Sequence, residues 1–455
     1  MKRYDSYVHV DSPWFYSIPG EWKQTRLKSL TTYISRGQTP SYTDDETCPK
    51  VINQALFSRG FWNKEKIRYT ASESINNANI AKVGDVLLAS TGGGVLGKVF
   101  CFDQPDLYIA DSHVTIIRTR EQLSGRYLYY YLSVRYDAIN ALLSKGSTNQ
   151  TELQEFPLKN MPVPVPPRDE QDQIVRYLDW QVSKINRLIT AKRKQIQLLK
   201  ERQKTRIAHI VQCGLDDNAV TRDSGIEYIG IVPSHWLVLQ NRRLFHSMNR
   251  IFLGTPTVLS LSQKDGLIPY SEMSERSLHT SSYENWQLVH ENDLVLNRFK
   301  AHLGVFFASK YEGIVTFHYG VYEPRRPLVA KYYEALYHTP AYCRVYAGQS
   351  RGMTVGLQNL SDTNFYSAYT VYPPYEEQVE IVSEISQIEK QHSQIIASIV
   401  PQIEMLQDLR TRLISDVVTG QIDVRGIEVP DYEHYDEAPE NATEESSDSD
   451  YDTEE

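Results

Sequence analysis

The sequence predicts a mixed α/β protein with two pseudo-twofold-related globular α/β units, separated by two long helices packed as an antiparallel coiled coil. Three observations predict this architecture. Residues 166–216 align with residues 373–423 without a gap, at an offset of 207 residues. Both aligned segments carry apolar residues at helical spacing. The chain before each segment also repeats, since "SIPGEW" (17–22) resembles "IVPSHW" (231–236).

The two aligned segments are interpreted as the helices of the antiparallel pair. Each follows a Pro-Pro pair and has acidic residues in its first turn, as helix starts commonly do. The first has apolar residues three and four positions apart, a coiled-coil seam, at 178, 182, 185, 189, 196, 199 and 210. A lone helix with such a stripe needs a partner, and the nearest one is the other copy. Pro401 lies inside the second stripe and predicts a kink or break near Ala397–Pro401.

These elements divide the chain into five predicted segments. They are a first globular unit at 1–165, a first helix at 166–215, a second globular unit at 216–372, a second helix at 373–425 and an acidic disordered tail at 426–455. The last 25 residues contain twelve Asp or Glu and no Lys or Arg. Without them, the formal net charge of −9 becomes +3. The tail is interpreted as solubilising; the alternative is an anionic segment that mimics nucleic acid and competes for a basic groove.

The first helix is strongly basic where the second is not. Residues 182–206 hold nine Lys or Arg against one Glu, whereas residues 389–413 hold three basic and three acidic side chains. Two interpretations stay open at this point. The basic run is either a solvated helix face or a surface for phosphates or an acidic partner.

The stretch "STGGGVLGKV" (90–99) resembles a phosphate-binding loop, but two features of the segment itself argue against that. Val99 stands where the Mg²⁺-ligating Ser or Thr should follow Lys98, and an apolar, strand-like run follows instead of a helix. In the second copy, "FKAHLGVFF", only Gly304 is kept. The segment is therefore interpreted as a turn between two strands, on a scaffold that presents variable loops.

Composition narrows the class of protein further. The four cysteines are far apart and never form C-x-x-C, which argues against a zinc ribbon or disulfide framework. No apolar run approaches the roughly 18 residues of a membrane span, and the N-terminus has no apolar signal-peptide core. We expect a cytoplasmic protein with no metal site and no membrane partner.

A family resemblance covers about residues 12–425. The helix openings "PPRDEQDQI" and "PPYEEQVEI", the ending "VVTGQID" and the phrase "SGIEYIGIVPSHW" resemble the specificity subunits of type I restriction–modification systems. Pro401, "IVQCGLD" and "ISQIEK" depart from the wording typical of that family and bear on local geometry.

The resemblance implies a non-catalytic subunit. Each globular unit would be a target recognition domain that reads one half of a bipartite, asymmetric site in double-stranded DNA. The helices would set the spacing and dock two modification (methyltransferase) subunits, and restriction (motor-nuclease) subunits would join them. No cofactor is expected in this chain, because S-adenosylmethionine would bind the methyltransferase subunits, which act on adenine N6, and ATP and Mg the restriction subunits.

The sequence leaves two alternative functions. "VYPPY" (371–375) resembles the catalytic motif of adenine methyltransferases, but Tyr372 replaces its polar residue and no glycine-rich cofactor loop accompanies it. A stand-alone adenine methyltransferase is therefore disfavoured, and no catalytic residue is assigned. The other alternative is a coiled-coil scaffold without sequence preference.

The candidate DNA contacts lie on polar loops, because base edges are read by Arg, Lys, Asn, Gln, Ser and Thr side chains. The loops are "SRGQTPS", "STGGG" and "SKGSTNQ" in the first unit, and "MNR", "NRFKAH" and "GQSRGMT" in the second. Each loop is alternatively an ordinary surface turn. The candidate residues are Arg36, Gln38, Ser90, Thr91, Lys98, Lys145, Ser147, Thr148, Asn149, Asn249, Arg250, Arg298, Lys300, His302, Gln349, Arg351 and Thr354.

Overall fold

The computed structural model describes residues 2–71, 77–146, 151–250, 252, 256–262, 266–273, 283, 285–350 and 359–435. The chain divides into two compact units. The first combines Met1–Gln195 with Ile399–Glu455, and the second is the continuous stretch Ile196–Ser398. Within the described ranges, none of the helices combines the length and apolar character needed to cross a membrane.

The first unit is built on an antiparallel four-stranded sheet in the order β4-β11-β8-β9, with a smaller sheet β10-β6-β7-β5. Its strands and short helices are β1 (Tyr7–His9), β2 (Ser17–Pro19), β3 (Lys23–Arg26), β4 (Thr31–Arg36), β5 (Tyr42–Thr43), β6 (Lys50–Ile52), β7 (Arg68–Thr70), β8 (Val86–Ala89), β9 (Val99–Cys101), β10 (Tyr108–Ala110), β11 (Val114–Thr119), α1 (Gly125–Ser133), α2 (Tyr136–Leu143), β12 (Ser144–Lys145), β13 (Glu152–Leu153), α3 (Glu155–Asn160) and β14 (Pro162–Val165).

The core of the first unit lies on both faces of the four-stranded sheet. The run Val86–Ala89 is fully buried, because successive side chains of a strand point to opposite faces and both faces are covered. Val86 and Leu88 join one apolar cluster with α1, while Leu87 and Ala89 join a second with the smaller sheet. A continuous apolar strand is therefore required here, and the alternation typical of a solvated sheet is absent from it.

The second unit repeats this plan. Its four-stranded sheet has the equivalent order β18-β25-β22-β23. Its elements are β15 (Thr221–Asp223), β16 (Ile231–Pro233), β17 (Leu237–Gln240), β18 (Phe245–Ser247), β19 (Leu259–Ser262), β20 (Gly266–Pro269), β21 (Gln287–Val289), β22 (Leu294–Asn297), β23 (Phe306–Ala308), β24 (Gly313–Val315), β25 (Tyr319–Pro324), α5 (Ala330–Tyr337), α6 (Pro340–Gln349), α7 (Asp362–Ser367) and β26 (Tyr369–Tyr372).

Two long helices complete the fold, α4 (Arg168–Cys213) and α8 (Tyr375–Val418). They start 207 residues apart, as do β9 and β23 and also β14 and β26, so the sequence offset is carried into the structure. The turn interpretation of "STGGGVLGKV" is confirmed, since β8 and β9 pair antiparallel across it. Gly97 (φ 93°) and its counterpart Gly304 (φ 74°) both take the left-handed conformation that favours glycine.

The helices run antiparallel within each unit. In the first unit, Lys192 Nζ donates to Gln402 Oε1 (2.7 Å), and Arg410 Nη1 donates to Asn186 Oδ1 (2.7 Å). In the second unit, His392 Nδ1 lies 3.1 Å from the carbonyl oxygen of a residue on α4, Leu199. The mixed α/β class with two antiparallel long helices is thus confirmed.

α8 continues without interruption through Pro401, so the predicted break is wrong; a kink there stays a prediction. Ile399 is buried, and Ile403 packs against the core of the first unit. This packing on both sides of the proline offsets the single backbone hydrogen bond that it removes.

The predicted disordered tail also begins too early. Residues 426–435 are described and lie against α4, where Gln173 Nε2 donates to the carbonyl oxygen of Ile427 (2.6 Å) and Ser183 Oγ accepts from the amide of Tyr435 (2.7 Å). Ile427 and Val429 pack against the core of the first unit. These apolar residues give the segment a packed surface that its acidic composition does not suggest. Residues 436–455 lie outside the described part.

Candidate nucleic-acid interface

Each unit is joined to the start of the helix that follows it by a Trp–Glu contact, which is buried in the first unit and partly buried in the second. Trp22 Nε1 donates to Glu170 Oε1 (3.1 Å) in the first unit, and Trp236 Nε1 donates to Glu377 Oε2 (2.9 Å) in the second. Burial raises the pKa of Glu170, although its hydrogen bonds from Tyr4 and Trp22 favour the charged form. The Glu of the repeated Glu-Gln pair is therefore a structural joint.

The Gln of that pair forms a second joint. Gln171 Oε1 accepts from the amide of Ser124 (2.8 Å), and Gln378 Oε1 accepts from the amide of Val329 (2.9 Å). The first of these amides belongs to the residue that caps α1, and the second to the residue before α5. Both glutamine side chains are fully buried, so each sheet-and-helix body is held in one orientation on its long helix.

Three of the predicted first-unit loops meet at one edge of the four-stranded sheet. β4 and β8 end at this edge, and β11 begins there, because β11 is antiparallel to both. The hairpin β12–β13 joins them, since the amide of Leu153 donates to the carbonyl of Ser90 (2.9 Å). Arg36 ties the loops together by donating to the carbonyl oxygens of Ser90 (3.2 Å) and Leu153 (3.0 Å).

This edge, which we call the first loop edge (residues 36–41, 90–98, 111–113, 144–146 and 151–153), exposes some of the candidate residues and buries others. Gln38, Lys98 and Lys145 are exposed, and Thr91 is half-buried. Ser90 is fully buried, with its Oγ 2.6 Å from Thr115 Oγ1, so it is removed from the candidate set. Its hydroxyl instead satisfies the interior of the sheet. Ser147, Thr148 and Asn149 lie outside the described residues.

The second unit has an equivalent edge, the second loop edge (residues 297–304, 316–318, 349–350 and 359–362). Lys300 is exposed there. Arg298 forms an ion pair with Asp362, which holds the loop to α7. Burial lowers the pKa of Arg298, but the neighbouring Asp362, Tyr322 and Tyr366 raise it by more. The pKa of Arg298 is therefore raised overall. Arg298 is thus a positioning residue in this conformation, as Arg36 is in the first unit.

"MNR" does not reach the second loop edge as predicted. β18 ends at Ser247, and Arg250 instead pairs with Asp293, just before the start of β22 at the opposite end of that strand. The Arg250 and Asp293 side chains are only 13% and 3% exposed, which makes the pair part of the interior. Arg250 is therefore removed from the candidate set, while Asn249 stays exposed.

For the remaining DNA-contact candidates of the second unit, the structure gives no evidence of an exposed polar side chain among the described residues. The Oε1 atom of Gln349 is enclosed and has no hydrogen-bond partner among the described residues. Arg351 and Thr354 lie outside the described residues, and so does the side chain of His302. The exposed members of the second loop edge that the structure describes are thus few.

Each loop edge also carries an exposed histidine that is not among the sequence-predicted candidates. His113 immediately precedes β11, and His318 immediately precedes β25, at the same point of the two sheets. Both are exposed; His113 Nδ1 lies 2.7 Å from Thr91 Oγ1, and the His318 ring lies 5.7 Å from that of Phe299. The repeat did not reveal them, because the two histidines are 205 residues apart and therefore do not align at the offset of 207 that relates the two long helices.

Comparison with known proteins identifies a domain in the first half of the chain. Residues 19–198 match the Methylase_S family, the type I restriction modification DNA specificity domain. The chain is 25% identical over 259 residues to the putative type I restriction enzyme MjaX specificity subunit of Methanocaldococcus jannaschii, covering 55% of this chain and 58% of that protein. It is 24% identical over 226 residues to the MjaVIII specificity subunit of the same organism, covering 49% of each. The chain thus spans about half the length of these curated relatives.

A solved structure from work on complex assembly and conformational transition of the type I R-M system shares the fold. Its TM-score is 0.64 at 13% identity, and the likeness covers 90% of this chain and 100% of that one. The repeated unit-and-helix plan and the matched domain agree. Residues 19–198 are thus similar to the type I restriction modification DNA specificity domain, and most of the chain shares its fold with that solved structure.

Proposed function

We propose that this chain is the DNA sequence-recognition subunit of a type I restriction–modification enzyme, and that each unit reads one half of a bipartite, asymmetric site. One observation carries the proposal. The same sheet edge is built twice, with the same strand order and the same joint to a long helix, but with different exposed side chains. A repeated scaffold with unlike loops suits a site whose two halves differ in sequence.

The exposed chemistry of the two loop edges suits base and phosphate contacts. Gln38 can pair bidentately with adenine, and Lys98 and Lys145 can contact guanine or phosphate. On the second loop edge, Lys300 and His318 offer a cation and a ring donor. Arg36 and Arg298 act through the loops that they hold, because their guanidinium groups are engaged within the protein.

We further infer that the chain performs no chemistry itself. The partners would be two modification subunits, which bind S-adenosylmethionine and methylate adenine N6, and restriction subunits that use ATP and Mg. The buried joints support such a spacer role, since they fix each reading edge on its helix. Four separate cysteines and a chromosomal substrate favour a cytoplasmic location.

The test is adenine-methylation mapping in cells that carry this chain with its modification subunits. The combined variant Gln38→Ala/Thr91→Ala/Lys145→Ala should relax one half of a split motif, and Lys300→Ala/His318→Ala should relax the other. Each lost base contact is worth about 1–3 kcal/mol of discrimination. The matched control is Lys159→Ala, a partly exposed lysine on α3 that lies outside the first loop edge and pairs with Glu155.

The result has three informative outcomes. A split motif that is relaxed in one half by each variant supports two independent readers. A continuous motif, or relaxation of both halves by one variant, contradicts the assignment of one half to each unit. Absence of any sequence preference in the unsubstituted complex supports a scaffold instead.

A further inference from the structure

The chain after α8 follows α4 in the same direction as that helix. Gln173 Nε2 donates to the carbonyl oxygen of Val424 (3.0 Å), Ser183 Oγ donates to that of Glu433 (3.3 Å), and Asn186 lies near Tyr435. Rising residue numbers in one segment thus meet rising numbers in the other. The last described residues are directed toward the stretch of α4 that follows Asn186.

That stretch presents a cationic face. Lys184, Arg187 and Lys194 are exposed, and at 3.6 residues per turn they fall within about 80° of one another around α4. Ser183, where the segment crosses, lies about 20° from Lys194 in the same projection. Among the described residues, neither Arg187 nor Lys194 has a carboxylate within ion-pairing distance.

The segment that follows has the opposite charge. Residues 436–455 contain ten Asp or Glu and no Lys or Arg. From Asn186 to Lys194 the helix rises about 12 Å, which four or so extended residues can cover. Twenty residues are therefore more than long enough to follow the face, and their charge is complementary to it.

We propose that residues 436–455 continue along α4 and cover the face formed by Lys184, Arg187 and Lys194, where they shield it from other polyanions such as nucleic-acid phosphates. The tail then acts as an intramolecular counter-anion. A polyanion that binds this face must first displace it. The proposal does not depend on the recognition function, because phosphate contacts of this kind carry no sequence information.

The contact is tested by carbodiimide cross-linking of the full chain, which joins an amine to an adjacent carboxylate, followed by mass spectrometry. We expect Lys184 and Lys194 to be joined to residues 436–455 at low salt, and these links to be lost in about 0.5 M salt, because screening is then strong. The pair Lys159–Glu155 supplies an internal positive control. Tail carboxylates joined only to other lysines, or to none while the control link forms, would overturn the proposal.

The shielding is tested with a labelled 30-base-pair duplex of random sequence. For a chain that ends at Tyr435, we plot the logarithm of the duplex binding constant against the logarithm of the salt concentration. The slope should be steeper by about 2 to 3 than that of the full chain, since three cations are freed. Adding Lys184→Gln/Arg187→Gln/Lys194→Gln to the shortened chain should return the slope to that of the full chain. An unchanged slope on shortening, or a change that survives the triple substitution, contradicts the shielding. Loss of motif recognition would leave both measurements unaffected, so the two proposals fail separately.

Discussion

Replacing Gln378 with alanine should loosen the joint between the second unit and α8 and leave the first unit unchanged. The Gln378 side chain is fully buried; its Nε2 donates to the carbonyl oxygen of Pro373 (2.9 Å), and its Oε1 accepts from the amide of Val329 (2.9 Å). The substitution leaves one donor and one acceptor without partners. At about 1–3 kcal/mol for each such group, we expect the opening free energy at Val329 to fall by about 3 kcal/mol.

The assay is native-state hydrogen exchange of the full chain. A fall of about 3 kcal/mol corresponds to roughly 100-fold faster exchange in peptides containing the Val329 amide. Gln171→Ala should give the mirror result at Ser124, with a larger effect, because Gln171 also donates to the carbonyl oxygens of Gln122 (2.9 Å) and Pro166 (3.0 Å). Gln387→Ala, an exposed position on α8, is the matched control.

The reasoning is refuted if the Val329 peptide keeps its protection in Gln378→Ala. It is also refuted if both variants accelerate both peptides equally, because the two joints then do not act locally. A change in the control variant of the same size would assign the effect to α8 in general.

Three further predictions concern stability. Arg250→Ala leaves the carboxylate of Asp293 buried and unpaired and should cost about 3 kcal/mol at pH 8. Burial raises the pKa of Asp293, and Arg250 opposes this rise, so without Arg250 the folded state binds a proton more readily. The loss of stability, measured by urea unfolding, should therefore become smaller as the pH is lowered from 8 to 5. A loss of stability that does not change with pH contradicts this. Pro401→Ala should stabilise the chain by about 1–3 kcal/mol by restoring a hydrogen bond of α8, seen as a higher Tm, and an unchanged Tm would show that the bond stays unmade. Gly420→Ala should destabilise by about 2 kcal/mol or more, because its Cβ would lie 2.3 Å from Pro19 Cδ and φ is 71°; a urea midpoint within error of the unsubstituted chain would refute the clash.

The helices, the repeat and the glycine turn could be predicted from the sequence. Each depends on a pattern that the sequence shows directly: apolar spacing, a constant offset, or a glycine at a fixed position. The helix starts at Arg168 and Tyr375 keep the offset of 207 that the alignment gave. The turn was recognisable because Gly304 alone survives from its glycines, which indicates a backbone requirement rather than a phosphate site.

The candidate site was harder to predict from the sequence, because the exposure of a loop side chain depends on contacts with residues that are far away in the sequence. "SRG" and "MNR" align, yet Arg36 bonds two carbonyls of its loop edge whereas Arg250 turns to Asp293. The joint made by the repeated Glu-Gln pair could not be recognised from the sequence, since its partners, the tryptophans and the amides before α1 and α5, are 47 to 148 residues away. Side-chain hydrogen bonds of this kind have no periodic signature.

The division of the chain has a consequence for its synthesis. In the first unit, the hydroxyl of Tyr127 donates to the carbonyl oxygen of Val418 (2.9 Å), and Val417 and Val424 belong to the same core as Leu128. The ribosome makes these partners almost 300 residues apart, which at roughly 5–20 residues per second is a delay of about 15–60 s.

The second unit is one continuous stretch, and its equivalent bond, from the Tyr332 hydroxyl to the carbonyl oxygen of Val211 (2.7 Å), closes sooner. The half that is translated first is therefore the half that is completed last. Until Val417 and Val424 have been synthesised, the apolar surface around Leu128 stays uncovered. A nascent chain stalled within α8 would expose this surface to chaperones and proteases.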